Sequence, residues 1–125
     1  MNATEELGQR GEDEVCQYLA KIGHVILERN WRYRHLEIDI ITLAVDGIHF
    51  VEVKTRMAPI QGDPEDAVNI VKQKRIVSAA SRYLAKKEFS LGKDMEIWFD
   101  VAAVIFDGEK VNLRYHAGAF VPIYI

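Results

Sequence analysis

A single cysteine, Cys16, leaves the 125-residue chain without an intramolecular disulfide and without the thiolates of a four-cysteine zinc site. No apolar run approaches the roughly 20 residues that a membrane-spanning helix needs. The opening residues, Met1-Asn2-Ala3-Thr4-Glu5-Glu6, are acidic and lack the apolar stretch of a secretory signal. The expectation is a cytoplasmic protein with no membrane partner. There is no glycine-rich loop followed by Lys-Ser or Lys-Thr, which argues against nucleotide hydrolysis. His24, His35, His49 and His116 show no metal-ligand spacing. A net charge of −3 argues against coating nucleic acid electrostatically. It leaves room for an enzyme that gathers carboxylates at a cation site and positive charge on one face.

What is present suits one domain, residues 1–125, since 49% hydrophobic residues can supply a core and 28% charged residues a solvated surface. Leu7, Gly11, Val15, Tyr18, Leu19 and Ile22 recur at helical spacing, with Asn2 or Thr4 as cap and Gly23 as terminator. Strands are expected over residues 24–28, 36–43 and 48–55, the last two joined by an Asp46-Gly47 turn. Asp63-Pro64-Glu65-Asp66 reads as a helix start, and helix continues to about Lys87 with a break near Asn69. Residues 96–106 read as a strand buried on both faces, and Asp107-Gly108 turns into a last strand over 111–115. The order gives an α/β domain with a central mixed sheet flanked by helices.

An Asp46-Gly47 turn would set Ile41 opposite Glu52 and Asp39 opposite Lys54. Asp39, Glu52 and Lys54 would then share one face, since directly opposed side chains do. Two readings compete for them. An Asp facing a Lys is commonly a cross-strand ion pair, and Glu-x-Lys is commonly a solvated face. Against that, Ile38-Asp39-Ile40-Ile41 and Phe50-Val51-Glu52-Val53 embed the acids in core-like strands, where unpaired charge is costly. A hard divalent cation accepts such carboxylates together with the Val53 backbone carbonyl. Lys54 beside it would orient water or stabilise the transition state.

Glu37-Ile38-Asp39 followed by Phe50-Val51-Glu52-Val53-Lys54-Thr55-Arg56 resembles the metal motif of the restriction-endonuclease-like superfamily. The whole chain resembles the YraN-like family of small bacterial proteins, to which endonuclease activity is ascribed and which are similar to archaeal Holliday junction resolvases. Further matching blocks are Gly8-Gln9-Arg10-Gly11-Glu12, Arg29-Asn30-Trp31-Arg32, Pro64-Glu65-Asp66-Ala67-Val68, Lys72-Gln73-Lys74 and Phe99-Asp100-Val101. The resemblance implies a restriction-endonuclease-like fold, Mg2+ or Mn2+ as cofactor, and a four-part site of Glu12, Asp39, Glu52 and Lys54, with Glu12 as second metal ligand or general base. Glu12 equally fits a solvent-facing acid at the helix edge. Ile38 stands where the superfamily often has proline, and Leu36, after His35, where the family usually has glycine.

Arg29, Arg32 and Arg34 interleave with Trp31 and Tyr33, a pattern suited to phosphates and an unpaired base, although Trp31 also suits the core. Lys72, Arg75, Arg82 and Lys86 share one side of the later helix, either a solvated face or a backbone-binding surface. Arg56 and Gln73 complete the candidate nucleic-acid contacts. Asp100 reads as a buried hydrogen-bonding residue. The expected function is metal-dependent hydrolysis of DNA phosphodiester bonds, at branched structures by analogy, by a homodimer that matches two-fold junctions. Its rivals are a nucleic-acid-binding module with little cleavage of its own, and a scaffold whose acids form structural ion pairs.

Overall fold

The computed structural model describes residues 1–87 and 95–122. In chain order the elements are α1 (Ala3–Lys21), β1 (Val25–Tyr33), β2 (Leu36–Ala44), β3 (Gly47–Met57), a 3-10 turn (Pro64–Ala67), α2 (Ile70–Lys87), β4 (Ile97–Asp107) and β5 (Lys110–Phe120). The five strands form one mixed sheet in chain order, antiparallel except where β3 runs parallel to β4. This is the mixed α/β architecture expected, consistent with a restriction-endonuclease-like fold. Among the described residues no helix is long and apolar enough to cross a membrane.

Period-two alternation divides the core between the two faces. Ile48 and Phe50 of β3 and Phe99 and Val101 of β4 pack with Ile76, Ala79, Ala80 and Tyr83 of α2. Val51, Ala102, Val104 and Phe106 point the other way, against Val15 and Leu19 of α1. β4 is therefore buried on both faces, as its apolar run predicts. Asn2 caps α1, its side chain accepting from the Glu5 N–H at 2.8 Å.

Three expectations need correction. β1 extends through the basic-aromatic segment to Tyr33, and β5 reaches Phe120 rather than stopping at Tyr115. The hairpin register is also displaced by two residues. Ala44 pairs with Gly47 and Ile41 with Phe50, so the turn is Val45-Asp46 and Asp39 is not opposite Lys54. Gly47, directly after the turn, is demanded both by its backbone, with φ at 132°, and by packing, since a Cβ there would meet the Glu96 carbonyl at 2.3 Å. A slip of two preserves the face of every side chain, whereas a slip of one would have inverted it.

Gly11 sets how closely α1 lies on the sheet, because a Cβ there would fall 1.9 Å from Thr55 Oγ1. Gly11→Ala is expected to destabilise the protein by about 1–3 kcal/mol through overpacking. Gly8→Ala, three residues earlier on the same helix with nothing within 4 Å of its Cβ, should be neutral or stabilising. Equal urea midpoints for the two variants would contradict this account.

Candidate active site

The site lies where β2 and β3 part. Their pairing ends at Ile40 and Val51, while β3 continues beside β4 to Met57. A break in alternation causes the fork. Ile40 packs on the α1 side and Ile38 on the α2 side, so Asp39 stands at a switch of faces. The partner strand switches with it. Asn30 takes φ 51°, Arg29 before it meets the α1 acids, and Trp31 after it meets Tyr83 of α2. Asp39 therefore points sideways, and its Oδ2 accepts from the Val53 N–H at 2.8 Å. The N–H and carbonyl of one strand residue project to the same edge, so the Val53 carbonyl also faces the fork.

Glu52 reaches the fork from the α2 side and is only 4% exposed. Its Oε2 lies 3.3 Å from Lys54 Nζ and 3.3 Å from Lys72 Nζ. Lys72 is carried in the first turn of α2, which Asn69 caps by accepting from the Lys72 N–H at 3.0 Å. Burial, then the neighbouring Glu52 charge, pushes the Asp39 carboxyl well above the ordinary carboxylate range. Glu12 adds its charge from the α1 side and is itself raised, chiefly by burial. It is held by Asn30 and by Arg29 at 3.7 Å, and opens on a cleft of 370 Å³ lined also by Gly8, Gln9 and Arg32.

Asp39, Glu52, Lys54 and Lys72 thus come together, with Glu12 flanking them. Among the described residues no three acids, histidines or cysteines converge closely enough to hold a metal ion. Two carboxylates and the Val53 carbonyl still match the oxygen donors of a hard cation, which leaves its other positions to water and substrate. A raised carboxyl loses stability as pH climbs through its folded-state pKa, since the folded chain then holds the proton more tightly than the unfolded one. Asp39→Asn keeps an acceptor for the Val53 N–H and removes that penalty. In chelator at neutral pH it is expected to stabilise the protein by about 0.5–2 kcal/mol, a stability–function trade-off. A lower melting temperature than wild type would contradict this.

The other candidates are dispersed. Arg29 is engaged by Asp13 at 2.8 Å, and Arg32 approaches Glu37 at 3.6 Å. Arg34 lies over the Tyr33 ring and Arg75 donates to the His35 carbonyl at 3.4 Å, both beside the β1–β2 turn. Arg56 is exposed near the end of β3. The Gln73 amide donates to the Val68 carbonyl at 3.1 Å and lines a 350 Å³ cleft with Glu65 and His116. The tie between Lys72 and Glu52 has no sequence signal, since Lys72 stands out there only through the basic stripe and the Lys72-Gln73-Lys74 block.

A second polar group, on the α1 side, is also new. His49 Nδ1 lies 2.5 Å from Asp100 Oδ2 and its Nε2 lies 2.8 Å from Asp46 Oδ1. Tyr115 and the Gly118 N–H, the latter at 2.9 Å, also donate to the buried Asp100. Its signal was a polar pair, His49 and Asp100, inside two apolar strands. Asp100 is buried and hydrogen-bonded as expected.

The family profile described as "Uncharacterised protein family UPF0102" matches residues 11–104, which include every member of the site. A UPF0102 protein of Chlorobium chlorochromatii is 47% identical over 103 residues, covering 82% of this chain and 77% of that one. One from Bacteroides thetaiotaomicron is 38% identical over 117 residues, covering 94% and 93%. Another, from Flavobacterium johnsoniae, is 35% identical over 115 residues, covering 92% and 94%. The chain belongs to the UPF0102 family.

Proposed function

We propose that the protein is a Mg2+- or Mn2+-dependent endonuclease of the restriction-endonuclease-like, Holliday-junction-resolvase-like kind that hydrolyses DNA phosphodiester bonds in the cytoplasm. The observation that carries this reading is the meeting of Asp39 and Glu52 at the strand fork with Lys54 beside them. Asp39 is half-buried and its charge is disfavoured by burial and by the adjacent, buried Glu52, a setting that a cation between the two would relieve.

A divalent ion bound there would neutralise charge on the scissile phosphate and make water a better nucleophile. Asp39 and Glu52 would hold it, with the Val53 carbonyl on the same edge. Once Glu52 is engaged, the Lys54 ammonium is free to donate to the phosphoryl oxygens, where negative charge develops. Glu12, raised by burial and facing the neighbouring cleft, would take a proton from the attacking water. A homodimer would present two such sites to a two-fold symmetric junction.

The second reading is a binding module that holds nucleic acid and cleaves little. It is favoured by the two lysines on Glu52, which already neutralise it without a metal. Calorimetric titration with Mn2+ separates both from a scaffold: a specific site lost in Asp39→Ala is expected, and no site in the wild type would contradict the proposal. Metal-dependent cutting then separates the first reading from the second.

A further inference from the structure

The charge of α2 is opposite to that of the rest of the chain. Its 18 residues hold Lys72, Lys74, Arg75, Arg82, Lys86 and Lys87 and no acid. With a net charge of −3 overall, removing this +6 leaves −9 for the remainder. The helix dipole favours cations in the last turn, which accounts for Lys86. It disfavours cations near the N-terminus, where Lys72, Lys74 and Arg75 lie and where no acid occupies the first turn.

The placement is directional. Lys72 meets Glu52 at one end of the helix. Arg75 next meets the His35 carbonyl. Arg82 and Lys86 lie 5.2 and 5.5 Å from the Tyr33 ring centre, and Arg34 lies 5.4 Å from the same centre. Among the described residues no carboxylate is within ion-pair distance of Arg34, Arg75, Arg82 or Lys86. Three cations crowded at one ring repel each other, and the ring offsets only part of that. An external polyanion would offset the rest.

We propose that α2 is the track for one duplex arm of a nucleic acid, running from the carboxylate pair at Glu52 to the cations at Tyr33. From Lys72 to Lys86 the helix rises about 21 Å at 1.5 Å per residue. That is roughly six base pairs at 3.4 Å each. A single strand is a poorer fit because it would need aromatic faces for its bases. Tyr33 is covered by cations, and Trp31 packs edge-on against Tyr83 in the α2-side core. Neither therefore serves as the stacking platform that the sequence pattern offered. The track deepens the nuclease reading and rests on it only for where the arm ends.

The test is binding in chelator, which is blind to cleavage, of labelled DNA hairpins with stems of about 4 and about 12 base pairs. The wild type should prefer the long stem. Arg82→Ala/Lys86→Ala should weaken long-stem binding about tenfold and make its salt dependence shallower by nearly two counterions. The short stem should be little affected. Lys21→Ala/Lys110→Ala, which removes two exposed lysines outside α2, should change long-stem binding less than twofold. Unchanged long-stem affinity in the α2 variant, an equal loss on both stems, or tighter binding of single strands of the same length would overturn the track. None of these results depends on whether Asp39 and Glu52 support cleavage.

Discussion

His49→Phe is expected to destabilise the protein by about 3–5 kcal/mol, the cost of leaving one member of a buried ion pair alone. Both ring nitrogens of His49 face carboxylates, which accept when ionised, so the protonated ring is the form that donates to both. Burial by itself would lower the His49 pKa. The hydrogen bonds to Asp100 and Asp46 outweigh it and raise the pKa. Phenylalanine fills the space but strips Asp100, 1% exposed, of its counter-charge. Adding Asp100→Asn should restore part of the loss, because an amide oxygen still accepts from the Gly118 N–H while the buried charge is gone. A loss below about 1 kcal/mol in urea, or no recovery in the double variant, would contradict this.

The same group sets a pH window. A raised histidine contributes stability that is complete below its ordinary value near 6.5 and is lost as pH rises through the folded-state pKa. Asp46 is lowered, first by its hydrogen bond with His49, so its contribution is present above its ordinary 3.8 and lost as pH falls through the depressed value. Both contributions are in place between about pH 4 and 6.5. His49→Phe should flatten the alkaline limb of the unfolding midpoint plotted against pH.

The second large effect concerns Asp39 and Lys54, whose losses should separate. Asp39→Ala removes a proposed cation ligand and the acceptor for the Val53 N–H, so specific Mn2+ binding and cleavage should both vanish. Lys54→Met keeps the carboxylates and removes a cation that competes for Glu52, so Mn2+ should bind as tightly or more tightly. Cleavage should still fall about 10²–10³-fold, the usual loss of one donor to developing charge. Loss of metal binding in Lys54→Met would assign that residue to holding the site together.

The sequence made the element order, the two-sided burial of β4 and the facing of Glu52 legible, because each rests on apolar periodicity. It misplaced the hairpin turn because Asp46-Gly47 is a strong local signal, whereas Gly47 answers to Glu96 of a distant segment. Asp39 is a site candidate by its setting in a core-like strand, but its sideways reach to Val53 follows from the left-handed Asn30 on the neighbouring strand, which no pattern announces. Lys72 looked like one member of a surface stripe, since helical spacing gives its side of α2 and not the strand beneath. His49 and Asp100 are 51 residues apart, and only the parallel pairing of β3 and β4 makes them partners.

The most direct test of the central claim is cleavage of labelled duplex, single-stranded, flapped and four-way-junction DNA by the purified protein in Mg2+, Mn2+ or chelator, beside Asp39→Ala prepared identically. Metal-dependent cutting of at least one branched or duplex substrate is expected, absent in chelator and absent in Asp39→Ala. Binding without cutting in either metal, unchanged by Asp39→Ala, would contradict it.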